Sequence, residues 1–135
     1  MRNSAHWNRA AVAALASVFL GTSASAACLK DNTDGQIAEG VLTVQRAEDL
    51  AGRPERPFIL RLKGDACLDT KDPEDAVKAT RTIQVYPYDE KDLPSFKPLV
   101  GQAVKVSGNP FAAHTAHHHA PIVMRVQTIE RLAKR

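Results

Sequence analysis

Alternation is the feature that most constrains this chain. Between Leu99 and Gly108, Val104 and Val106 alternate with Lys105 and Ser107, and glycine stands at positions 101 and 108. Between Pro121 and Leu132, Ile122, Met124 and Val126 share one side, while Arg125 and Gln127 take the other. A period of two belongs to a strand with one buried face. The same period recurs earlier. Phe58, Leu60 and Leu62 alternate with Arg61 and Lys63, and this strand is expected to continue toward Cys67. Ile83 and Val85 oppose Gln84, Tyr86 and Tyr88 in a strand over 81–88, where Pro87 marks an edge or a bulge. Residues 37–46 form the remaining strand, and Gly40 within it suggests a bulge or bend.

The connections are short and polar. Asp31 to Gln36 is a turn cluster, and Ala51 to Pro57 is a loop with two prolines. Asp72, Pro73, Glu74 and Asp75 read as a helix start, with Asp72 as N-cap and Pro73 in the first position, and the helix runs to about Thr80. Asp89 to Pro98 holds at most one helical turn. Five short strands and one short helix predict an all-β fold, a small five-stranded OB-like barrel. Closure removes the unpaired edges of an open sheet. In such a barrel the loop between the last two strands lies beside the ligand-binding face.

The start of the chain reads as an export signal. Arg2 and Arg9 precede an apolar run, Ala10 to Leu20, and Ala24-Ser25-Ala26 is a small-x-small cleavage site. The run falls short of the roughly 20 residues a bilayer span requires, so a retained anchor is the weaker alternative. The organisation is therefore a signal peptide over 1–26 and one domain over 27–135, with no transmembrane segment after cleavage and a periplasmic or secreted location. Loss of Arg2 and Arg9 lowers the formal net charge from +3 to +1. That balance argues against a nucleic-acid partner.

Cys28 and Cys67 are the two cysteines. An even count in an exported chain favours a disulfide, which would pin the mature N-terminus to the end of the second strand. Closing a loop of about 40 residues is worth roughly 4 kcal/mol in the chain-entropy model. Lipidation of Cys28 is the alternative, although Ser25-Ala26-Ala27 lacks the aliphatic residue that such a site carries three before the cysteine.

The segments PFILRL, RTIQVYP and KPLVGQAVKVSGNPFAAHTAHHHAPIVM, together with the leader, resemble a family of small exported bacterial proteins of unknown function. The resemblance runs from about Gly40 to Ile129 and is most specific in the H-T-x-H-H-H string, His114 to His119. It implies that this loop is a family feature. It implies no mechanism.

All the mature histidines lie in that loop: His114, His117, His118 and His119. In an extended segment His117 and His119 point the same way and His118 points opposite. Two or three imidazoles could then converge on zinc, copper or nickel. The expected ligand set is His114, His117 and His119, with His118 spare. No Cys, Asp or Glu lies between Asn109 and Val126 to complete it. Histidines that only hydrogen-bond and shape the loop, with help from Thr115, are the competing reading, and imidazoles that sense pH are a third. No motif supplies a nucleophile with its base, so the chain is read as no enzyme. The expected function is binding, either of a divalent transition metal or, through structural histidines, of an envelope protein partner. Tyr86 and Tyr88 read as aromatics covering the barrel rather than as a platform for bases.

Overall fold

The computed structural model describes residues 27–133 and, ahead of them, Ala13, Ala14, Ala16 and Ser17; the expected signal peptide otherwise lies outside the described residues. No helix among the described residues is long and apolar enough to cross a membrane.

Eight strands follow one another: β1 (Leu29–Lys30), β2 (Gln36–Val44), β3 (Ala47–Glu48), β4 (Pro54–Glu55), β5 (Phe58–Asp69), β6 (Val77–Pro87), β7 (Ala103–Ala112) and β8 (Ile122–Arg131). The five long strands close in the order β5-β2-β7-β8-β6, and β6 pairs back onto β5. Every contact in this ring is antiparallel except β6–β8, which is parallel. This is an OB-like barrel with one short helix, α1 (Leu93–Phe96), in the link from β6 to β7.

The alternating residues meet inside as expected. Leu42, Leu60, Ile83, Val85, Val104, Val106, Ile122, Met124 and Val126 form one buried cluster. Phe96 of α1 joins it at 1% exposure, with its ring edge-on to Phe58 at 5.4 Å. Burying a side chain of this size is worth about 1.5–3 kcal/mol.

Several local expectations are corrected. The short helix does not lie over 72–80. Asp72 does cap a turn, its carboxylate accepting the Glu74 N–H, but the 3-10 turn ends at Asp75. The chain extends from Val77 because Val77 and Thr80 pair with Leu68 and Ala66 of β5. Gly40 makes no bulge. Its register is continuous with both neighbours, and it is required because a Cβ there would strike the Arg61 carbonyl. The β7–β8 pair shifts register at Ser107/Gly108, where a Cβ on Gly108 would meet the Arg125 carbonyl, and the β5–β6 pair shifts between Arg61 and Leu68. β7 runs from Ala103 to Ala112, so Gly108 does not end the strand as its alternating pattern suggested, and Pro110 lies opposite Met124. Pro87 ends β6 in regular register with Val126.

The Cys28–Cys67 disulfide is formed and ties β1 alongside the end of β5, where Leu29 pairs with Leu68.

Candidate functional site

Two loops meet over one end of the barrel. The first is the β2–β5 connection, which carries the small β3–β4 hairpin. Asp49 organises its turn: its carboxylate accepts the N–H groups of Ala51 and Arg53 at 2.9 Å each and pairs with Arg53 Nε at 2.6 Å. These donors, the Arg53 N–H first, hold the Asp49 carboxyl below its ordinary range. The hairpin register, Ala47 to Glu55 and Glu48 to Pro54, then fixes Glu55 at its end.

The second loop is the histidine segment between β7 and β8. The Ala113 N–H donates to the Pro121 carbonyl at 3.0 Å and closes its base. The His118 N–H donates to the Thr115 carbonyl at 3.1 Å and makes a turn. Thr115 Oγ1 accepts the His117 N–H at 3.3 Å. The turn is fastened to the barrel by Gln84, which is only 9% exposed. Its amide nitrogen donates to the His117 carbonyl at 3.1 Å, and its amide oxygen accepts the His119 N–H at 2.5 Å. Gln84 lies between Ile83 and Val85 of the core, so its side chain leaves the barrel on the outer face. There it stands in register with Ile59 and Val123, both buried although outside the core cluster.

The four imidazoles divide into two pairs. His117 Nδ1 and His119 Nε2 both reach Glu55, one oxygen to each ring, and the His119 contact is 2.6 Å. Hydrogen bonds from His119 and then His117 hold the Glu55 carboxyl below its ordinary value. The Glu55 side chain is 22% exposed, that of His119 14% and that of His117 64%. His118 turns the other way. Its Nδ1 accepts the N–H groups of His114 at 3.0 Å and Thr115 at 3.2 Å. That assigns the neutral ring's proton to Nε2. Desolvation, followed by the neighbouring imidazoles with His114 first, lowers the His118 pKa. His114 donates from Nδ1 to the Ala112 carbonyl at 3.1 Å and stacks edge-on against His118 at 4.8 Å. Phe111 packs against both rings, at 5.5 and 5.4 Å.

The structure thus places His117 and His119 together on Glu55 and sets His118 apart from them, across a turn rather than along the extended segment expected. It puts His114 with His118 rather than with the other pair. It also supplies a carboxylate absent from the loop sequence, from a residue 62 positions before His117. Glu55 stands between its two imidazoles. Among the described residues, no three His, Cys, Asp or Glu side chains are grouped as a metal site.

Beside this loop an open cavity of about 450 Å³ is lined by residues that include Tyr86, Phe111, His118 and Arg125. Tyr86 and Arg125 are register partners on β6 and β8. Arg125 lies over the exposed Tyr88 ring, 5.2 Å from its centre. Desolvation raises the Tyr86 hydroxyl pKa.

Strand order, the parallel β6–β8 pair and the two loops over one end define the class: an OB-like barrel domain. Residues 82–130 match the model of a family described as a domain of unknown function (DUF4431), a span from β6 to β8 that includes the whole histidine loop. That match, over less than half of the chain, agrees with the unknown-function resemblance read from the sequence. No curated protein matches the chain. Among solved structures, the chain is similar to a small single-stranded DNA-binding protein from Streptomyces coelicolor, with 20% identity over 70% of this chain and 90% of that one. The TM-score of 0.38 is too low to carry anything from that protein to this one.

Proposed function

We propose that this domain is an exported, non-enzymatic binding protein, and that its histidine loop takes up a divalent transition metal, zinc, copper or nickel, through His117, His119 and Glu55. One observation carries the reading: two imidazoles from one loop and a carboxylate from the other are brought into contact. Two histidines and a carboxylate, with open positions left for water, are a common donor set for such ions. A metal takes neutral imidazoles and an ionised carboxylate, so affinity should fall as the solution is acidified.

Calorimetric titration of zinc into tag-free mature protein should find one ion per chain, bound more weakly at about pH 5.5, where imidazoles protonate. Affinity should drop at least tenfold in Glu55→Gln and disappear in His117→Ala with His119→Ala. Uptake that is weak and superstoichiometric, or unchanged in the double variant, would sink the reading.

The second reading is an envelope protein-interaction module with structural histidines. It is favoured by the partners that each imidazole already finds within the chain. It expects amide exchange across 113–121 to be slow in a chelator and unchanged by added metal.

A further inference from the structure

The cavity beside the histidine loop is built from side chains that the metal reading does not use. Arg125 projects from the outer face of β8 at half burial, and its Nε is buried with no hydrogen-bond partner. Arg125 lines the cavity, and a guanidinium carries several N–H donors besides Nε. His118 lines the same cavity. Because its Nδ1 is filled by two backbone N–H groups, its other nitrogen bears the proton and is a second donor. Two donors in one cavity favour an anionic acceptor. Asp31 and Asp75 also line it, so a bare polyanion would be repelled, and a ligand with a cationic group as well is matched. Two half-buried rings, Tyr86 and Phe111, line it as well. Flat or apolar groups pack well on such surfaces. A volume of about 450 Å³ suits a small molecule rather than a polymer.

We infer that this cavity binds a small zwitterion of the aromatic α-amino-acid type: the carboxylate is taken by Arg125 and His118, the ammonium group by Asp31 and Asp75, and the ring by Tyr86 and Phe111. The site is separate from His117, His119 and Glu55, and it stands or falls independently of metal binding.

The test is calorimetric titration of phenylalanine, N-acetylphenylalanine and phenylalaninamide into the mature protein, with a chelator present throughout. Phenylalanine should bind at one per chain. Each derivative lacks one charge and should bind at least tenfold more weakly. Arg125→Gln should abolish binding. Asp75 lies in an exposed turn, so Asp75→Asn should fold normally, weaken phenylalanine and leave N-acetylphenylalanine unaffected. His117→Ala with His119→Ala should bind phenylalanine as the parent does. No heat at millimolar phenylalanine, equal affinity for all three probes, or full binding by the Arg125→Gln and Asp75→Asn variants would overturn the inference.

Discussion

His117 and His119 on one side of their loop, and His114 and His118 on the other, are chemically alike and differently employed. The first pair works at long range, joining its loop to Glu55 on a hairpin more than 60 residues away. The second pair works locally. His118 accepts backbone N–H groups of its own turn, and both rings lean on Phe111. The difference is set by the turn that the His118 N–H and the Thr115 carbonyl close, which gives His118 Nδ1 to the turn's own N–H groups and leaves His117 and His119 on Glu55. A histidine string is thus a local brace and a long-range clasp in one segment.

Three substitutions separate these roles. Gln84→Ala should have the largest effect, because it removes the anchor common to both halves and strands the half-buried His119 N–H. A loss of about 2–3 kcal/mol is expected in urea unfolding, with faster amide exchange throughout 113–121. His118→Ala should come next, at about 1–2 kcal/mol, since two N–H groups lose their acceptor. It should loosen the turn at His114 and Thr115 while the Glu55 contacts persist.

The same variant should alter the pH dependence. Burial lowers the His118 pKa, so the unfolded chain takes up its proton first as pH falls below the ordinary 6.5. This contribution is complete above that value and declines below it until the folded ring also protonates. Thermal melts between pH 7.5 and 5 should show the decline in the parent and a flatter profile in His118→Ala.

Glu55→Gln should be the mildest change. The Glu55 carboxylate lies below its ordinary value of 4.5, so its stabilisation is present above that pH and fades as pH drops through the lowered value. The substitution should remove this most acidic step and free the hairpin from the loop, leaving His118 protected. If His118→Ala and Glu55→Gln loosened the same amides to the same degree, the division into brace and clasp would fail.

The barrel was legible from sequence because its strands bury one face. Ile122, Met124 and Val126 declare their side without any knowledge of their neighbours. The parting of His118 from His117 and His119 was legible too, although a turn rather than an extended segment produces it. Glu55 was not, because it sits in a proline-flanked loop whose shape is set by Asp49 and whose position is set by barrel closure. Gln84 was hidden too: as a polar residue on an alternating strand it reads as solvent-facing, and only the returning loop buries it. The expected helix over 72–80 failed after a correct start, since β5 offered pairing partners to Val77 and Thr80. Local capping could not outweigh those long-range bonds.

β8 comes last along the chain among the five long strands, and it alone of them bridges β6 and β7. Until it emerges, both strands keep an open edge and the cylinder has a gap along its full height. Closure of the barrel therefore waits for β8, although β7, β2, β5 and β6 can pair with one another before it. The barrel stays unclosed until β8 is delivered, and the loss of that strand would leave two sticky strand edges rather than a smaller domain.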